Sequence, residues 1–160
     1  MKMTPMGLRV FVSYSGHEDQ IAALRLQTLA GARPELQVYV PPVSTRNRRG
    51  APTGADLKAL NDSRFVLAII SGVVPPAMQQ ELAIAQRAGK TIVPIVVRGR
   101  GNVAGIQADQ PVFYLDPYNP LETEKQIIDY VSSAVPGKSN QQAALGLVLL
   151  LLGMLILAKE

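Results

Sequence analysis

A single carboxylate, Glu81, lies between two strongly apolar runs, Phe65-Val-Leu-Ala-Ile-Ile70 and Thr91-Ile-Val-Pro-Ile-Val-Val97. Such runs read as buried parallel strands, so the segment joining them is expected to be a crossover helix that presents Glu81 near the mouth of a sheet. α/β proteins place their chemistry there. A carboxylate in that setting can hold hydroxyl groups and stabilise a developing positive charge. Arg46, Arg48 and Arg49 cluster in one loop, with Arg98 and Arg100 in another. Guanidinium forks suit phosphate or carboxylate partners, although loop charges are as often simply solvated. His17 is the only histidine, cysteine is absent, and no Ser-His-Asp set surrounds His17. Disulfides and Cys-ligated zinc are excluded, and His17 is expected at the surface of a helix start.

The elements that must position these groups follow from periodicity and punctuation. Leu8-Arg-Val-Phe-Val-Ser13 reads as a first strand. Ser15-Gly-His-Glu18 has capping-box spacing, with Ser15 as N-cap and Glu18 reaching back, and opens a helix whose apolar face is Ala22, Leu26 and Leu29. Leu36 to Val40 is the second strand, followed by a loop rich in Pro, Arg and Gly from Pro41 to Pro52. Thr53-Gly-Ala-Asp56 starts a short helix ending near Asn61. After the third strand, Pro75 to Gly89 is a helix with Pro at its start and Gly at its end. A fifth strand is expected over Pro111 to Leu115, and Leu121, Ile128, Val131 and Val135 line a last helix. This β-α-β-α-β-α-β-loop-β-α order implies a flavodoxin-like α/β fold, a five-stranded parallel sheet with helices on both faces. The loops leaving the strands' carboxyl ends, Ser13 to Asp19, Pro41 to Gly54, Ser71 to Pro76 and Arg98 to Gly105, then converge on one edge. Gly99-x-Gly101-x-x-x-Gly105 misses the dinucleotide fingerprint by one residue and reads as a flexible loop.

The chain has 160 residues, enough for one domain with a substantial core, expected over 8–135. Its 16 Lys and Arg against 12 Asp and Glu give a net charge of +4, compatible with anionic ligands and too weak to argue for nucleic acid. Residues 136–142 form a polar linker, and residues 143–158 contain no charge and no polar side chain. As a helix this tail would be about 24 Å long, slightly short of the ~20 residues a bilayer core asks for. Lys138 and Lys159 could snorkel, so a transmembrane anchor is the preferred reading, with a helix docked in an assembly as the alternative. Gly146 and Gly153 share one face and would let two such helices approach closely. The N-terminus lacks the apolar core of a signal peptide, so the domain is expected in the cytoplasm.

Val10-Phe-Val-Ser-Tyr-Ser15 with Asp19, the loop Pro41 to Gly54, Ser71 followed by Gln80-Glu81-Leu82-Ala83, Gly89-Lys90, and Ile92 to Val97 together resemble the Toll/interleukin-1 receptor (TIR) domains, particularly the bacterial ones. The resemblance covers roughly Leu8 to Val135. In the catalytically active members a glutamate at the Glu81 position cleaves the nicotinamide-ribose bond of NAD. The resemblance thus implies Glu81 as catalytic residue; Ser13, Tyr14, Ser15, Asp19, Ser71 and Arg46, in the loops at the same edge, are the candidates around the substrate, with capping as the other reading of Ser15 and a first-turn acid complementing the helix dipole as that of Asp19. It implies NAD as substrate rather than cofactor, no metal, and self-association through TIR-TIR contacts. Many members carry a Trp four residues before the glutamate, where this chain has Ala77. A non-catalytic TIR interaction module is the alternative, and a nucleoside 2-deoxyribosyltransferase-like enzyme a third reading.

Overall fold

β-Branched and apolar runs become the strands of one all-parallel sheet. They are β1 (Leu8–Ser13), β2 (Leu36–Tyr39), β3 (Phe65–Ile70), β4 (Thr91–Val97) and β5 (Phe113–Leu115), arranged β2-β1-β3-β4-β5. The connections carry α1 (His17–Ala30), α2 (Gly54–Asp62), α3 (Pro76–Arg87) and α4 (Leu121–Ser132), and a 3₁₀ turn spans Val43–Thr45. The computed structural model describes residues 7–46, 49–99 and 112–134. This strand order is that of a flavodoxin-like sheet, in which the winding direction reverses between β1 and β3. The expected linker at 136–142, the apolar segment 143–158, Val135, Pro111, Arg48 and the loop from Arg100 to Gly105 lie outside the described residues.

The period of two along each strand sorts side chains into two cores. Phe65, Leu67 and Ile69 of β3 meet Leu26 of α1 and Ile127 of α4 in one layer. Val66, Ala68 and Ile70 meet Leu60 of α2 with Met78 and Ala85 of α3 in the other. All six β3 positions are buried, as a central strand covered on both faces requires. Pro94 is tolerated inside β4 because β5 pairs only from Ile95 onward, so on that side β4 has no ladder to interrupt at residue 94.

Three details of the helices differ from expectation. The N-cap of α1 is Gly16, with no side-chain capping bond, so the capping box of Ser15 and Glu18 does not form. Ser15 lies one residue before the cap and donates to Asp19 Oδ2 at 2.6 Å, and Glu18 is left exposed. The buried face of α1 runs Asp19, Ala23, Leu26 and Ala30, with Ala22 and Leu29 at its margin. Leu121, placed by the periodicity on the inner face of α4, is 43 % exposed at that helix's first position.

Helix α3 ends in a Schellman motif. Lys90 N–H donates to the Ala85 carbonyl at 2.9 Å and Gly89 N–H to that of Gln86 at 3.1 Å, with Gly89 at φ +71°. A Cβ on Gly89 would meet nothing within 4 Å, so the need for glycine is conformational alone. Gly89→Ala is expected to lower stability by about 1–2 kcal/mol, the cost of a left-handed residue with a Cβ. Urea unfolding measures it, and an unchanged midpoint would contradict the assignment.

Candidate active site

Glu81 lies in the second turn of α3 on the strip Ala77, Met78, Glu81 and Ala85 that faces the sheet. Ser13, the last residue of β1, has the parity of Phe11 and so points to the same side. The two side chains meet at the carboxyl edge of the sheet, where the order of β1 and β3 makes a switch point. Ser13 Oγ donates to Glu81 Oε1 at 2.8 Å, and both residues are at most 1 % exposed.

The remaining lone pairs of Glu81 are taken by Arg46, from the loop after β2. Its Nη1 donates to Oε1 at 2.7 Å and its Nη2 to Oε2 at 2.6 Å, a bidentate pair sealed from solvent on both sides. Nη1 also donates to the Tyr14 carbonyl at 3.2 Å and Nη2 to Thr45 Oγ1 at 3.2 Å, while the guanidinium carbon stands 5.1 Å from the centroid of the Tyr14 ring. Burial opposes the charge on Arg46, but its bonds to Glu81 outweigh that cost and leave its pKa above the ordinary value. The Tyr14 hydroxyl donates to the Pro41 carbonyl and so pins the start of the same loop.

A second carboxylate reaches this cluster. Asp56, in the first turn of α2, has Oδ2 3.8 Å from Arg46 Nη2 and accepts from the Tyr39 hydroxyl at 2.6 Å through Oδ1. Tyr39 stacks on Phe11 with ring centroids 5.8 Å apart. Burial, reinforced by the bond to Asp56, pushes the Tyr39 phenol up to about 12. The folded protein therefore holds a proton that the unfolded chain releases near pH 10, and the stability this provides is lost as pH rises from about 10 to about 12. Tyr14 and Tyr130, both raised mainly by burial, act in the same direction. Tyr39→Phe is expected to flatten part of that fall, as seen by urea unfolding at about pH 9 and about pH 11. Equal pH slopes for the two proteins would contradict it.

A neighbouring group ties the β1 and β3 loops together. Asp19, 3 % exposed, accepts at Oδ2 from Ser15 at 2.6 Å and from Ser71 at 2.5 Å. Asp19 is thus a buried acceptor as well as a first-turn acid of α1. Of the residues expected at the site, Glu81, Ser13, Tyr14 and Arg46 come together directly, and Ser15, Asp19 and Ser71 form this second cluster. Arg49 and Arg98 are exposed in their loops. Asp56 and Tyr39 went unrecognised in the sequence. Tyr39 carried a usable signal, being a polar-tipped residue at the carboxyl end of β2 with Phe11 as its register partner.

The cavity bordered by Thr45, Arg46, Gly50, Pro52, Asp56, Ala77 and Glu81 measures about 10 Å³. That is room for one water at most, against several hundred Å³ for a typical ligand pocket. A larger cavity of about 440 Å³ runs along β2 and α2 past Arg9, Tyr39 and Lys58, and neither Glu81 nor Arg46 lines it. The arrangement is therefore that of a closed site, with a carboxylate held at a switch point and plugged by a loop cation. Among the described residues no group of His, Cys, Asp and Glu could hold a metal ion. Comparison of the sequence with protein-family models and with curated proteins finds no match.

Proposed function

We infer that this chain is a TIR-like NAD-cleaving enzyme in which Glu81 is the reacting carboxylate. One observation carries the reading: a charged side chain, 1 % exposed, stands at the switch point of a parallel sheet with a donor from β1 and another from the loop after β2. Burying a charge there is costly for stability alone, and α/β sheets bind ligands at that edge.

The chemistry asks little of the protein. The bond between ribose C1′ and the pyridinium nitrogen breaks with its electron pair going to nitrogen, so nicotinamide leaves neutral and needs no general acid. The oxocarbenium-like carbon left behind is stabilised by the Glu81 carboxylate, which also holds the ribose hydroxyls. Water, losing a proton to bulk solvent, or a nitrogen of the same nucleotide then captures that carbon. Glu81 can act only after Arg46 leaves it, so isolated protomers are expected to be poor enzymes. Self-association at a membrane would raise effective concentration.

The same ion pair favours the second reading, a non-catalytic TIR interaction module. A carboxylate fully engaged by arginine behaves as a structural group, and Ala77 borders the cavity beside Arg46 where a bulky aromatic would compete for the space. Release of nicotinamide from NAD by clustered full-length protein, compared with Glu81→Gln, separates the two.

Membrane tethering through 143–158 belongs to the same proposal. Among the described residues no helix is long and apolar enough to cross a membrane. Deleting 143–160 is expected to move the protein from the membrane to the soluble fraction on centrifugation. Retention in the membrane fraction would refute the anchor.

A further inference from the structure

Arg46 is one guanidinium between two buried carboxylates, Glu81 and Asp56, which are 1 % and 5 % exposed. Tyr39 is neutral at physiological pH, so the cluster is one positive charge short of balance. The Nε of Arg46 is buried without a hydrogen-bond partner, a donor still unspent inside the cluster. Nη2 lies 2.6 Å from Glu81 and 3.8 Å from Asp56, so the guanidinium already faces both carboxylates, and transfer to Asp56 requires Nη1 to leave Glu81 Oε1, 2.7 Å away, as well. The downstream stretch of the loop carries Gly50 at φ +130° and Gly54 at φ +59°. A Cβ at either would meet nothing within 4 Å, so these backbone positions serve turning and not close packing.

We propose that Arg46 is a two-position gate that rests on Glu81 and transfers to Asp56 when a positively charged ligand group enters. Asp56, steered by Tyr39, is the second berth, and it acts as a positioning residue without touching the ligand. Entry of one positive charge brings the cluster to balance, which selects a cationic ring such as a pyridinium over a neutral or anionic group. The gate rests on the reading of Glu81 as the reacting carboxylate. Its test uses no NAD, so failure of that reading and failure of the gate are told apart.

The probe is phenylglyoxal, which modifies accessible arginines, applied to the full-length chain with the modified sites located by peptide mass spectrometry. Exposed Arg49 is the internal reference. In the wild type Arg46 is expected to react at least about tenfold more slowly than Arg49, as its burial requires. With two berths, Glu81→Gln and Asp56→Asn each raise Arg46 reactivity by less than about threefold, and the double substitution raises it to the Arg49 level. A Glu81→Gln protein as reactive as the double variant overturns the second berth. Continued protection in the double variant overturns both berths. Glu81→Gln combined with Asp56→Glu keeps the berth's charge and must keep Arg46 protected, which provides the comparison if the double variant does not fold. Full reactivity of Arg46 in that protein also overturns the gate.

Discussion

Arg46→Met is expected to destabilise the domain by about 3–5 kcal/mol, the loss typical of leaving one partner of a buried ion pair uncompensated. Glu81 would keep only the Ser13 hydroxyl at 2.8 Å, with no cation. Asp56 would lose its cation as well. A loss of that size is a large fraction of the total stability of a domain this small. The double substitution Arg46→Met with Glu81→Leu is expected to recover the part of the loss that falls on Glu81 and to leave the part that falls on Asp56, because an apolar pair of similar volume often replaces a buried ion pair at no net cost while Asp56 still lacks its cation. Guanidinium unfolding of the single and double variants measures both. A single variant within about 1 kcal/mol of wild type would mean that the pair is solvated, contrary to its burial.

Glu81→Gln is expected to reduce nicotinamide release by about a hundredfold to a thousandfold, the range found when one preorganised electrostatic contact to a transition state is removed. Glutamine keeps the size of the side chain and an acceptor for Ser13, so packing against Met78 and Ala85 is undisturbed. What it loses is the negative charge facing the developing oxocarbenium ion and, in the resting protein, the ionic partner of Arg46, so the comparison is made on protein shown to be folded. The effect should therefore fall on the rate of bond breaking at saturating NAD far more than on the concentration needed for saturation.

The sheet was legible because its strands are long in apolar side chains and short in number. Phe65 to Ile70 and Thr91 to Val97 form β3 and β4 within the bounds that their hydrophobic runs imply. Proline at the start of α3 and Gly89 at its end delimit that helix for stated backbone reasons. Ser15 misled because α1 starts one residue later than the capping-box spacing implies, with Gly16 as its N-cap. Nothing local says that Asp19, four residues on, would be buried and take the Ser15 hydroxyl. The partner of Glu81 was illegible for a related reason. Arg46 and Glu81 are 35 positions apart, and which arginine of a basic loop turns inward depends on the 3₁₀ turn at Val43–Thr45 that aims it. Charge composition counts Arg46, Arg48 and Arg49 as equals, whereas the fold buries Arg46 and leaves Arg49 in solvent.

Glu81 thus stands as a carboxylate at a switch point, held by Ser13 and closed by Arg46. The measurement that bears on this most directly is nicotinamide release from NAD by clustered full-length protein, run beside its Glu81→Gln variant at equal concentration and fold. The account predicts steady release by the wild type and release reduced at least about a hundredfold in the variant. Equal release by the two proteins, or none by the clustered wild type, would contradict it.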